Sequence, residues 1–348
     1  MALLVTFYDN LTMKRASTTF LTRRQFLQIT AVTGGLLAAG YGLGKQAHHA
    51  KTAVWRESRY LMGTFINLTL VSASEAHSRA AVQATFAEMA RLVALFDHRQ
   101  PDSPLARLNR DGTLPAAPPE LVETISLALR YGDLSGGAFD ISMKPLLDQA
   151  RQATDPSRLD RSLVDYRQIV VNGRSITLTQ AGMAVTLDGI AKGRVVDGAV
   201  AHLGAAGFAH VLVEAGGDLV GNGRRADGRP WQVGITHPRQ PETAVFQLAI
   251  TDQSVASSGD YQHTFTNDFR HHHIIDPRRG QSPTELASVT VTAPTTTDAD
   301  ALSTALMVMG TADGLALIER LPHVEALLVT KTLDIYQSSG FNHAVGSG

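Results

Sequence analysis

The chain has 348 residues, a formal net charge of −1 and no cysteine. Without cysteine there is no disulfide framework, thiolate zinc site, cysteine-ligated iron–sulfur cluster, thiol nucleophile or lipidated cysteine. With no basic excess to neutralise phosphates the composition argues against a general nucleic-acid binder, while 44% hydrophobic and 18% charged residues suit a packed core.

The near-neutral charge blends two unlike pieces. Residues 1–50 carry five basic residues (Lys14, Arg15, Arg23, Arg24, Lys45) and one acid, Asp9, for a net +4. Residues 51–348 carry 26 basic and 31 acidic residues, net −5. Arg23-Arg24 precedes Phe26-Leu27, and an uncharged, glycine-bearing stretch follows over 29–44. A basic segment, an apolar segment and a polar exit form a secretory signal, and the paired arginines resemble a twin-arginine signal. The alternative is a membrane anchor, for which the stretch is short and glycine-rich. The expectation is an export signal and linker over 1–50, a domain over 51–348, and a periplasmic protein, tethered to the inner membrane if the signal stays uncleaved.

From there the pattern predicts elements in order. Residues 59–71 alternate as one strand, and 74–96 carry the apolar stripe of a long helix. A polar loop with Pro101, Pro104 and Gly112 follows. Pro118-Pro119 opens a helix that Gly136-Gly137 stops. Asn172-Gly173 joins strands at 168–171 and 175–179 as a hairpin. A strand over 183–187 leads through a glycine turn into a helix over 193–206, with Asp188 as its N-cap. Short strands are expected at 210–214, 219–221, 231–235, 245–250, 254–257, 273–276 and 288–292. Helices over 298–309 and 313–320 and strands at 326–329 and 333–337 complete the chain. Strands grouped with helices, without strict alternation, indicate the α+β class.

Several segments carry chemistry. There is no P-loop, dinucleotide fingerprint between strand and helix, G-x-S-x-G elbow or H-E-x-x-H. Asp300 and Thr304 stand four apart on one helix face, where a carboxylate and a hydroxyl can hold a hard cation such as Mg2+. An ordinary acidic helix start, capped by Thr297 or Asp298, explains the same spacing. Leu187-Asp188-Gly189-Ile190-Ala191-Lys192-Gly193-Arg194 ends a strand and begins a helix, a place suited to a diphosphate or simply to a capped helix. GGAFD at 136–140 and EAGGD at 214–218 are glycine turns ending in an acid. His271, His272 and His273 cannot all face one ligand if the segment is a strand, since side chains alternate. His271 and His273 would then share a face, and a zinc site there lacks an evident third ligand.

Taken in order, nine segments resemble the ApbE family of FAD:protein FMN transferases. They are Met62-Gly63-Thr64, SPLARLN at 103–109, GGAFD at 136–140, LDGIAKG at 187–193, AGGD at 215–218, W-x-V-G-I at 231–235, SSGDY at 257–261, HIIDP-x-x-G at 273–280 and DADALSTAL at 298–306. The resemblance implies an α+β, T-fold-like architecture of two lobes of sheet and helices around a central FAD-binding cleft. Met62, Ala138, Phe139, Asp140, Thr186, Lys192 and Ile275 would contact FAD. Asp300, Thr304 and the carbonyl of Gly189 would hold Mg2+, and His273 would lie by the reacting phosphate, making His273 and Asp300 the catalytic residues. The implied reaction is Mg-dependent transfer of FMN to a Thr or Ser hydroxyl of an acceptor flavoprotein, a respiratory electron-transfer protein, with AMP released. The alternatives are an FAD pyrophosphatase and a periplasmic flavin-binding protein without catalysis. Two positions depart from the family: Thr186, where many members have Asp, and Glu214, where an Asn often stands.

Overall fold

The computed structural model describes residues 53–152 and 159–341. The expected export signal lies outside them. Among the described residues no helix is long and apolar enough to cross a membrane.

The first two strands, β1 (Ala53–Leu61) and β2 (Thr64–Ser72), form an antiparallel hairpin with Leu61 opposite Thr64. The single strand expected over 59–71 is therefore two. Its turn is Met62-Gly63, with φ of +55° and +75°. A type I′ two-residue hairpin needs positive φ at both turn positions, and Met at the first hid the signal that Asn or Asp would give. Helix α1 (Glu75–Phe96) follows, capped by Ser74. The expected polar loop contains α2 (Pro104–Asp111), with Ser103 as N-cap and Pro104 at its start. Next come β3 (Thr113–Leu114), α3 (Pro119–Leu134), a 3-10 turn (Ile141–Met143) and α4 (Lys144–Gln152). The Asn-Gly hairpin forms as expected, as β4 (Ile169–Asn172) and β5 (Ser175–Leu178).

No strand forms over 183–187. Both backbone groups of Val185 are taken by one side chain. Asn109 Nδ2 donates to the Val185 carbonyl at 2.8 Å, and the Val185 N–H donates to Asn109 Oδ1 at 2.6 Å. An amide side chain so replaces a neighbouring strand. Helix α5 (Ala191–Ala205) follows, with Ile190 at the N-cap position, so Asp188 is not the cap. Strands β6 (Val211–Ala215), β7 (Asp218–Asn222), β8 (Trp231–His237), β9 (Gln240–Ile250), β10 (Gln253–Gly259) and β11 (Leu286–Ala293) come next. Residues 273–276 form no strand, only isolated bridges from His272 to Thr264 and from Asp276 to Gln281. The alternation argument for the three histidines therefore lapses. Helix α6 (Thr296–Met309) is capped by Thr295, not by Thr297 or Asp298. The chain closes with α7 (Thr311–Ile318), β12 (Glu325–Thr330) and β13 (Ile335–Gln337).

Eight strands form one antiparallel sheet in the order β1-β2-β6-β7-β10-β11-β12-β13. Along β6, Val211, Val213 and Ala215 join the core under the helices, whereas Leu212 joins a second core. That second core lies under the β8–β9 ribbon and contains Trp231, Val233, Ile235, Leu248 and Ile250. The middle strands of the sheet are thus buried on both faces, as the fully buried β6 and β11 show. Helices α5 and α6 pack on each other and on the middle strands, and α1 packs outside α5. A three-stranded sheet, β3-β5-β4, stands apart. The α+β class is borne out.

Candidate active site

One cleft of about 940 Å³ collects the chemistry-bearing segments. That volume is at the upper end of small-molecule and cofactor sites. Its lining includes Met62, Ala138, Phe139, Asp140, Thr186, Gly189, Lys192, His273, Ile275, Asp300 and Thr304. Every residue that the family resemblance assigned to FAD, metal or catalysis lines it.

The α5–α6 junction forms its polar floor. Lys192 and Gly193 lie in the first turn of α5, and Asp300 and Thr304 on the facing side of α6. Asp300 Oδ2 accepts the Gly193 N–H at 3.0 Å, and Lys192 Nζ donates to Asp300 Oδ1 at 3.3 Å. Lys192 also donates to Asp218 Oδ2. Asp218 and Asp300 are 2% and 3% exposed, so two carboxylates share one ammonium inside the protein. Burial alone would lower the Lys192 pKa, but Asp218 and Asp300 outweigh it and hold the ammonium charged. Burial and the neighbouring Asp300 push Asp218 up to about 7 against the pull of Lys192. With all three groups charged, the cluster is one positive charge short of neutral. Arg194, by contrast, points away and pairs with Glu123 at 2.5 Å.

Thr304 sits one turn below Asp300. Its Oγ1 lies 3.3 Å from Ser258 Oγ, which is 2.9 Å from Ser303 Oγ. A Cβ built on Gly189 would fall 3.3 Å from Thr304 Oγ1 and 3.1 Å from the Phe139 ring. The main chain at Gly189 thus backs closely onto both. Asp300, Thr304 and Gly189 line the same cleft, a carboxylate, a hydroxyl and a main-chain segment that can offer hard oxygens. Among the described residues no group of three or more His, Cys, Asp or Glu side chains is arranged to hold a metal ion, so the zinc alternative at the histidines finds no support.

The loop over 138–140 sets an aromatic ring beside this floor. Phe139 is buried, and its N–H donates to Ser135 Oγ at 2.9 Å. Its ring meets Tyr131 edge-on at 6.1 Å, and Tyr131 donates to Asp298. Asp140 accepts from Ser142 N at 2.7 Å, Ser142 Oγ at 2.6 Å and Tyr166 N at 3.0 Å. Its carboxylate therefore fixes the loop as a cap, although burial raises its pKa. The Thr186 N–H donates to the Ile141 carbonyl at 2.9 Å and Oγ1 accepts from Asp188 N at 3.3 Å, so this residue shapes the turn toward Gly189. Glu214 is outside the cleft. It accepts from Gly217 N at 3.0 Å and from Asn67, capping the A-G-G-D turn as an amide could.

The histidines divide the work. His273 faces the cleft beside His263, with ring centroids 5.3 Å apart, and its Nδ1 has no hydrogen-bond partner. Burial, then the neighbouring His263 and His272, push its pKa down to about 3, so the ring is neutral. His272 is fully buried, bonds the Pro283 carbonyl through Nε2 at 3.1 Å and is pushed by burial down to about 4. An unfolded chain protonates histidine near pH 6.5. Stability from neutral His272 is therefore complete above about pH 6.5 and lost as pH falls toward 4, up to roughly 3 kcal/mol. The melting temperature of the wild type is expected to fall more steeply over that window than that of His272→Gln. Equal slopes would contradict the assignment.

Comparisons with known proteins point to one family. The model of the ApbE family matches residues 62–328. The chain belongs to the ApbE family. It is 30% identical over 339 residues to the FAD:protein FMN transferase of Treponema pallidum (strain Nichols), covering 88% of this chain and 93% of that protein. Among solved structures it is similar to the flavin transferase ApbE from Vibrio cholerae, with a TM-score of 0.75 at 27% identity over 84% of this chain and 99% of the other. The apo Pseudomonas stutzeri flavinyl transferase ApbE gives 0.73 at 29% identity, with 85% and 98% covered. Within the ApbE fold several residues in the cleft or just behind it escaped sequence reading. Asp218 stands in the recognised A-G-G-D turn, but only the fold shows its bond to Lys192. Gln262, His263 and Ser258 line the cleft in or beside the S-S-G-D-Y segment, whose role no spacing reveals.

Proposed function

We infer that this protein is an FAD:protein FMN transferase that moves FMN from FAD to a Thr or Ser hydroxyl of an acceptor flavoprotein. The observation that carries the reading is the convergence of Asp300, Thr304, Gly189, Lys192 and His273 in one cleft large enough for a flavin nucleotide, in an ApbE-family chain.

The residues fit a hard divalent cation. Asp300, Thr304 and the Gly189 carbonyl would hold Mg2+, and the buried Lys192–Asp218–Asp300 cluster carries the net negative charge that such an ion offsets. When bound, Mg2+ neutralises charge on the pyrophosphate and eases departure of AMP. Lys192 supplies a further fixed positive charge beside that diphosphate. Met62, Ala138, Phe139 and Ile275 give the flavin nucleotide an apolar wall, and Asp140 and Thr186 hold the loops that carry it. The acceptor oxygen bonds to the FMN phosphorus as the pyrophosphate P–O bond to AMP breaks. His273, which is neutral and lines the cleft, or a nearby carboxylate would receive the hydroxyl proton. Positioning and electrostatics supply most of the effect, because no protein nucleophile is needed. Export to the periplasm by the twin-arginine route, supported by Arg23-Arg24 and the stretch after them, would bring the enzyme to respiratory electron-transfer flavoproteins.

Incubation with FAD, Mg2+ and an apo-acceptor separates this reading from its rivals by mass. An acceptor gaining one FMN supports transfer. Free FMN and AMP with an unmodified acceptor would mean a pyrophosphatase, and unchanged FAD a flavin-binding protein.

A further inference from the structure

Asp218 does not line the cleft, yet it is tied to a residue that does. It begins β7 directly after the Gly216-Gly217 turn and is 2% exposed. It accepts from Lys192 Nζ and from the Ser257 backbone. Lys192 reaches the other way to Asp300 Oδ1 at 3.3 Å, the longer of its two carboxylate contacts. Asp300 Oδ2 is meanwhile held by Gly193 N at 3.0 Å. The ammonium therefore leans toward Asp218 and leaves Asp300 Oδ1 only weakly engaged.

We propose that Asp218 is a positioning residue for the divalent cation: it draws Lys192 off Asp300 and keeps the cluster's net charge negative, so that Asp300 Oδ1 stays available as a ligand. This rests on the reading of Asp300 as a metal ligand. Without the Asp218 charge, Lys192 has Asp300 as its only acidic partner among the described residues. The ammonium would close on Oδ1, and the cluster would become neutral. Both changes weaken cation binding. Outer partners of metal ligands commonly account for about 10- to 100-fold in affinity. Hydrophobic packing alone explains Asp218 poorly, since a buried carboxylate is costly unless it is paired.

The test is a Mg2+ titration of the full chain without FAD, read as the rise in melting temperature above each variant's own metal-free value. Asp218→Asn is expected to raise the half-saturating Mg2+ concentration by about 10- to 100-fold. Lys192→Met in the Asp218→Asn background removes the ammonium that would mask Asp300 and restores the net −1, so affinity should recover to within about threefold of wild type. A purely structural Asp218 predicts no such recovery. Unchanged affinity in Asp218→Asn, or a double variant as weak as the single one, overturns the proposal. If the single variant does not fold, the double variant decides: near-wild-type affinity supports it and a tenfold loss overturns it. Asp300→Ala serves as the control. If it retains the Mg2+-dependent rise, the metal assignment itself fails, and the role of Asp218 with it.

Discussion

Asp300→Ala is expected to abolish Mg2+-dependent FMN transfer, by about a thousandfold or more, since metal stabilisation of a reacting phosphate contributes several kcal/mol. The carboxylate is 3% exposed and lies in the second turn of α6. Alanine also leaves the Gly193 N–H without its acceptor, a desolvation cost of about 1–3 kcal/mol. Asp300→Asn keeps an oxygen for that N–H while losing the charge. It should therefore retain near-normal stability and still fail to transfer. Rates measured with purified protein, FAD, Mg2+ and acceptor test this. Transfer by Asp300→Ala at the wild-type rate would refute the metal assignment.

Gly193→Ala is expected to cost much stability for a single methyl group. A Cβ there would lie 2.4 Å from the Thr296 carbonyl oxygen, 2.6 Å from its carbon and 2.7 Å from Thr297 Cα. All three atoms are backbone, at the start of α6. That turn is itself pinned, because Asp197 accepts from Thr296 N at 2.8 Å and Thr297 N at 2.9 Å. Neither helix can yield cheaply, so α5 and α6 must separate and stretch the Gly193–Asp300 bond. Overpacking of this kind costs about 3 kcal/mol, against a gain in helix propensity of about 1 kcal/mol. A net destabilisation of about 2 kcal/mol should appear in urea unfolding, together with weaker Mg2+ binding. Gly204→Ala is the internal control. It lies in the same helix with open space around its Cβ and should stabilise by up to about 1 kcal/mol. Gly193→Ala as stable as Gly204→Ala would mean that the close approach of the helices does not matter.

Most elements could be read from the sequence because each announces itself locally. The apolar stripe of α1, the Asn-Gly turn between β4 and β5 and the short β-prone runs of the central sheet are short-range signals. The failures share a cause: a side chain or an unusual turn did the work of regular structure. Met62 adopts a left-handed conformation that its type does not advertise. Asn109, 76 residues from Val185, supplies the pairing that a strand would have needed. Helix α2 was legible in principle, since Ser103 before Pro104 is a cap followed by a proline at the first helical position. For the site, local spacing was weaker evidence than order. Asp300 with Thr304, or Lys192 after Gly189, could each have been ordinary helix starts, and only nine segments in one order set them apart. The Asp218–Lys192 contact joins residues 26 apart in sequence through a turn and a strand start, and nothing local foretells it.

The central claim is that FMN leaves FAD for a protein oxygen, and its most direct measure is the ratio of products. After incubation with FAD, Mg2+ and an apo-acceptor flavoprotein, AMP should appear in a one-to-one ratio with FMN covalently held by the acceptor. Neither should appear in excess, and neither should form with an acceptor whose Thr or Ser is replaced by Ala. AMP released without matching flavin on the acceptor, or flavin attached without AMP, would contradict it.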